Sequence, residues 1–208
     1  MVSAARQYGI PVEILVGLIQ SEITFDTDIN DQRMDTVLSH IPQASELLDR
    51  VRSGIGPGVG NMHLSTLREV AKYFEDNYPD RNDMSLGVSD GESRTSLTRR
   101  LLDDEFSVQA IAAMVRMLAD YRFGSDGNPS LRSHADINQW TLQDGLAMWH
   151  GYRYGVDGVT PGGIGFTSIA RFQDRDGMAY RSFLHSVNGP SAALNVTQTI
   201  QYFTPLME

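Results

Sequence analysis

Tyr8-Gly9-Ile10-Pro11-Val12-Glu13-Ile14-Leu15-Val16-Gly17-Leu18-Ile19-Gln20-Ser21-Glu22 is the stretch on which the reading of this chain turns, and Ile23-Thr24-Phe25-Asp26 follows it. Val12, Leu15, Val16, Ile19 and Ile23 recur at helical spacing and form one apolar stripe. Ile14 and Leu18 carry the apolar surface further round the cylinder, which predicts a central, buried helix. Glu22 lies one turn beyond Leu18 and Ile19, at the edge of that surface. A carboxyl group there is expected to be partly desolvated, which disfavours its ionised form and raises its pKa. A glutamate that holds its proton in a cleft is what general-acid chemistry needs.

Working outward, the pattern is helical almost throughout. Residues 3–8 and 12–23 read as two helices broken by Gly9-Ile10-Pro11, and residues 26–35 as an acidic surface loop. Within 36–52, Pro42 opens a helix carrying Ala44, Leu47, Leu48 and Val51. Ser53-Gly54-Ile55-Gly56-Pro57-Gly58-Val59-Gly60-Asn61 is the strongest loop signal in the chain. Thr66 with Glu69 has the form of a capping box before a helix with the face Leu67, Val70, Ala71 and Phe74, closed by Tyr78-Pro79. Residues 79–95 are polar and read as an exposed, mobile connection.

Ser107 is expected to cap a long helix whose buried stripe is Val108, Ile111, Ala112, Val115, Leu118 and Ala119. Residues 124–129 form a turn, and Thr141 with Asp144 a second capping box ahead of Leu142, Leu146 and Trp149. Residues 151–165 are rich in glycine and aromatics, and helices are expected around 167–187 and 191–203. With no repeat and no β-alternation over the chain, the predicted class is all-α, in a single domain over 1–208.

Composition narrows the function. The chain has 208 residues, enough for a substantial core, and no cysteine, which excludes disulfides, thiolate metal sites and cysteine nucleophiles. Its five histidines (His40, His63, His134, His150 and His185) never fall at the close spacing of a helical metal pair, so no metal or other cofactor is expected. A net charge of −9 argues against a nucleic-acid partner, while a neutral or mixed-charge glycan in a shaped groove stays compatible. No apolar run reaches the roughly 18–20 residues of a membrane span, and no signal peptide is seen. The abrupt start, Met1-Val2-Ser3 leading straight into helix, raises the expectation of a module from a longer protein.

Several blocks carry a resemblance. Tyr8-Gly9-Ile10-Pro11, the apolar helix, Glu22 and Phe25 together resemble the opening motif of lysozyme-like lytic transglycosylases, the soluble-transglycosylase or goose-lysozyme-like domain. Ser21 precedes the glutamate here, where the family has a serine after it. Gly58-Val59-Gly60-Asn61-Met62-His63-Leu64-Ser65-Thr66 resembles the family's Gly-Leu-Met-Gln-Ile-Met-Pro-Ser-Thr segment, with Asn61 in place of Gln and His63 in place of Met. Ser53 falls near the serine that opens that segment. Ala147-Met148-Trp149-His150-Gly151 is similar to the family's Ala-Ala-Tyr-Asn block, and Tyr180-Arg181-Ser182-Phe183-Leu184 to its closing tyrosine segment. The four blocks occur in the family's order, with longer intervals between the first three.

The resemblance implies a lysozyme-like helical domain in which the central buried helix carries a catalytic glutamate, Glu22. It implies cleavage of the β-1,4 bond between N-acetylmuramic acid and N-acetylglucosamine in peptidoglycan, outside the cytoplasm, with glycan strands as the partner. One glutamate suffices for that reaction, unlike the carboxylate pair of most glycosidases. Ser53, Gly58, Asn61, His63, Trp149, His150 and Tyr180 are the implied substrate-binding residues. Glycines let main chain approach a sugar ring closely, the Asn61 amide suits acetamido groups, and aromatic faces suit stacking.

Other readings stay open. A hydrolase acting on peptidoglycan or chitin would pair Glu22 with one of Asp26, Asp28, Asp31 and Asp35. A catalytically idle lysozyme-like module would bind glycan or a partner protein. Trp149 and Tyr180 lie beside apolar neighbours that suit core packing as well as a cleft, and the glycine loop would serve equally as a simple interhelical turn.

Overall fold

The structure is a computed structural model, and it describes residues 1–25, 56–124, 147–148, 151–152 and 155–156, without the side chains of Glu13 and of residues 20–25. The expected acidic loop at 26–35, the helix opened by Pro42, the Thr141/Asp144 capping box and the helices around 167–187 and 191–203 lie outside these residues. The described residues are helical and contain no strand. The chain divides into two compact units, one of Met1–Ser21 with Met114–Glu208 and one of Glu22–Ala113.

In the first unit, α1 (Val2–Tyr8) ends as its sequence dictates. Gly9 takes the left-handed conformation at φ 61°, and its N–H bonds to the Arg6 carbonyl. The N–H of Ile10 reaches back to the Ala5 carbonyl at 3.0 Å. This pair of bonds is the Schellman arrangement, with Ile10 and Ala5 both buried as its apolar contact. Pro11 then launches α2 (Val12–Phe25), because proline cannot prolong α1 but is preorganised to precede a first turn. Ile14, Leu15, Val16, Leu18 and Ile19 are all buried, as is Val12, and they encircle most of the helix. Each contributes about 1.5–3 kcal/mol of burial free energy before chain entropy is counted.

The second unit contains α3 (Leu64–Asn77) and α4 (Arg94–Leu101), which pack against each other. On α3, Leu64, Leu67, Val70, Ala71 and Phe74 are buried while Ser65, Glu69, Lys72, Glu75 and Asp76 are exposed. The helix begins at Leu64, so the Thr66/Glu69 capping box does not form at its start. His63 holds the N-cap position in extended geometry, and its carbonyl accepts from the Leu67 N–H at 2.9 Å. Burial of Met62 and Leu64 on either side of His63 draws the helix start forward. Tyr78 closes α3, with its ring stacked on Phe74 at 5.3 Å.

Residues 79–93 are mostly exposed, as expected, but three apolar side chains among them are buried. A 3-10 turn (Asn82–Met84) leads into Met84-Ser85-Leu86-Gly87-Val88-Ser89, where Met84, Leu86 and Val88 are buried and the alternate residues exposed. Two arginines grip the main chain of this strap. Arg68 on α3 donates to the carbonyls of Asp90 and Glu92, at 3.1 and 2.6 Å. Arg100 on α4 donates to the carbonyls of Leu86 and Gly87 and pairs with the Glu92 carboxylate at 3.1 Å. Its guanidinium also lies 4.1 Å over the Phe106 ring. The strap is therefore fastened to two helices, not a loose connection.

A long helix, α5 (Asp104–Arg122), contributes residues to both units. It starts three residues before Ser107, because Asp103 acts as the cap: its carboxylate accepts from the Phe106 N–H at 2.9 Å. Asp104 and Glu105 in the first turn suit the positive end of the helix dipole. Ser107 is instead buried, as is every residue from 110 to 120, while Val108 is only half-buried.

Candidate functional site

Glu22 sits in the last turn of α2, and it is the first residue of the second unit. Its helical backbone is built by the apolar run before it, whose described side chains are buried. Ser53, Trp149, His150 and Tyr180 lie outside the described residues, as do the four aspartates Asp26, Asp28, Asp31 and Asp35. Gly58, Asn61 and His63 fall within them and belong to one feature, the loop that feeds α3.

That loop closes on itself. The Asn61 N–H donates to the Gly58 carbonyl at 3.0 Å, completing a four-residue turn. The Gly56 N–H donates to Oδ1 of Asn61 at 2.6 Å, so the asparagine side chain folds back across the loop. Asn61 adopts a left-handed backbone, φ 46°, which asparagine tolerates better than other residues with a β-carbon. A β-carbon on Gly56 would strike the main chain of Asn61 and Met62.

Gly58 has φ +81°, and a β-carbon there would strike the Leu101 carbonyl and come 3.0 Å from Oγ of Ser107. Both glycines are thus required by the fold itself, where the loop meets its own chain and the end of α4. That Ser107 hydroxyl, and Oγ1 of Thr98 on α4, are buried with no hydrogen-bond partner among the described residues. His63 follows the loop as an exposed residue, making no side-chain cap to α3.

Charged groups that the sequence left unremarked carry the remaining electrostatics. Burial pushes the Glu92 carboxyl up, but the Ser96 hydroxyl and the Arg100 charge outweigh it and hold the group below its ordinary value. Arg116 and Asp120 form an ion pair at 2.9 Å, almost wholly excluded from solvent. The signal for that pair was present: a cation and an anion at i and i+4 inside an otherwise apolar run. Among the described residues, no group of three or more histidine, aspartate or glutamate side chains gathers to hold a metal ion. No described helix is long and apolar enough to cross a membrane.

No protein-family model matches the chain, and comparison with curated proteins and with solved structures gives no match either. The functional reading therefore rests on the residues themselves.

Proposed function

We propose that this protein is a peptidoglycan-cleaving glycosidase of the lysozyme-like superfamily, a lytic transglycosylase acting outside the cytoplasm with Glu22 as its general acid and base. The observation that carries the reading is the position of Glu22, in the last turn of a helix buried along its described side chains. A self-closed glycine loop leading into a second helix follows it in the order the motif requires. The helical character of the described residues accords with a lysozyme-like fold.

In the proposed reaction the Glu22 carboxyl donates its proton to the glycosidic oxygen between N-acetylmuramic acid and N-acetylglucosamine as the C–O bond breaks. The carboxylate so formed takes the proton of the muramoyl 6-hydroxyl while that oxygen attacks the anomeric carbon. The glycan is left with a 1,6-anhydro end, and Glu22 is returned to its protonated state. No water is consumed. Gly58 and its loop, with Ser53 and His63, would bind the strand, and Trp149, His150 and Tyr180 are the further binding residues that the resemblance implies.

Product analysis tests this. Purified murein sacculi are incubated with the protein and the soluble muropeptides are weighed by mass spectrometry. Anhydro-ended products are expected. Reducing ends would instead assign a hydrolase, with water as the nucleophile, and absence of release would remove the enzymatic reading.

A further inference from the structure

We infer that Asn61 is a positioning residue, shaping the glycine loop through its side-chain oxygen instead of touching the glycan with its amide. The inference rests on the glycosidase reading for its consequence, but its geometry stands apart from that reading. Only an acceptor can face the Gly56 N–H, so the atom 2.6 Å away must be the carboxamide oxygen. That oxygen is the acceptor an acetamido N–H would need, and one of its two lone pairs is already committed within the loop. The Asn61 N–H is likewise engaged, by the Gly58 carbonyl.

The left-handed backbone at Asn61 turns the side chain back over the loop, and Gly56 lacks the β-carbon that would block the approach. Gly58, whose carbonyl completes the turn, lies directly against the Leu101 carbonyl at the end of α4. One side chain thereby closes the loop, and the glycine that opens the turn seats it on its neighbour. What the loop offers a substrate is then main chain held in one shape, and Asn61 sets that shape.

Two substitutions separate positioning from contact. Asn61→Gly keeps the left-handed backbone but deletes the acceptor, whereas Asn61→Asp keeps the acceptor and deletes the amide nitrogen. Amide hydrogen exchange at Gly56, measured by NMR, reports the bond directly; thermal melting shows that both variants fold. Asn61→Gly is expected to speed Gly56 exchange about tenfold or more. With murein fragments it should raise KM about tenfold while kcat holds. Asn61→Asp should rescue both readouts.

Slow Gly56 exchange in Asn61→Asp together with a KM as poor as that of Asn61→Gly would overturn the inference, because the amide nitrogen would then be the glycan contact. Unchanged Gly56 exchange in Asn61→Gly would also overturn it, by removing the bond. So would faster exchange with an unaltered KM. If the wild-type protein releases nothing from murein, the glycosidase reading fails and the positioning role with it. The Gly56 exchange comparison then still decides the bond itself.

Discussion

Arg116 donates from Nη1 to the main-chain oxygen of Tyr8 at 3.2 Å, linking positions 108 residues apart in the sequence. The carbonyl belongs to the last residue of α1, where helical carbonyls lack intrahelical partners. The same guanidinium pairs through Nε with Asp120, one turn further along α5. A buried cation is tolerated here because a carboxylate and a carbonyl face it together. The fixed end of α1 is also the start of the Gly9-Ile10-Pro11 turn that aims α2.

Arg116→Met is therefore expected to cost about 3–5 kcal/mol, since it leaves a buried carboxylate without that counter-charge. The double variant Arg116→Met/Asp120→Leu should recover much of the loss, because neither charge is then left behind. Urea denaturation of the two variants and the wild type measures both quantities. A single variant within about 0.5 kcal/mol of wild type would show that the pair is not a structural link.

Gly58 provides a sharper steric test. Gly58→Ala combines a backbone at φ +81° with a collision against the Leu101 carbonyl, a main-chain atom with no rotamer to retreat into. The expected loss is about 2–4 kcal/mol. Gly91→Ala is the control, because a β-carbon there meets nothing within 4 Å. It should stay within about 0.5 kcal/mol of wild type. Equal tolerance at both positions would mean that the loop does not seat on α4 as described.

The strap should respond to acid through Glu92. Its carboxyl is held below the ordinary value by Ser96 and Arg100 despite burial, so the folded protein binds this proton less readily than the unfolded chain. The stabilisation is full above the unfolded pKa of about 4.3 and is lost as pH falls through the lower folded value. Glu92→Gln should cost about 1–2 kcal/mol at neutral pH, and the gap to wild type should close on acidification below pH 4. Denaturation curves between pH 3 and 7 decide it. A constant gap across that range would assign the loss to shape instead of charge.

The parts legible in the sequence were those governed by local chemistry. Gly9-Ile10-Pro11 contains its own stop and start instructions, so α1 and α2 were readable to within two residues. Tyr78-Pro79 ended α3 for the same reason. The starts of α3 and α5 differ from the sequence reading for two separate reasons. Burial of Met62 and Leu64 overrode Thr66, and Asp103 lay four residues ahead of Ser107.

The strap was missed for a different reason. Its anchors are arginine side chains reaching carbonyls 13 to 24 residues away, a pairing that no periodicity announces. Only the alternation of Met84, Leu86 and Val88 hinted that one side of it is buried. At the candidate site, the loop itself was legible from its glycines. The inward use of Gly56, Gly58 and Asn61 was not, since the carbonyl of Leu101 is brought there by packing.

Glu22→Gln is the decisive substitution for function. It preserves the side chain's size and its place in the last turn of α2, while removing the carboxyl through which the proposed reaction passes both of its protons. The same carboxyl serves as acid in the first half of the reaction and as base in the second, so one change disables both. Release of muropeptides should fall by at least about 10²–10⁴-fold. Stability should stay within about 0.5 kcal/mol, because glutamine matches glutamate in size and shape. Activity and urea denaturation on the same preparation keep lost chemistry apart from lost folding. Retained release of anhydro-ended products by a folded Glu22→Gln protein would remove Glu22 from the chemistry.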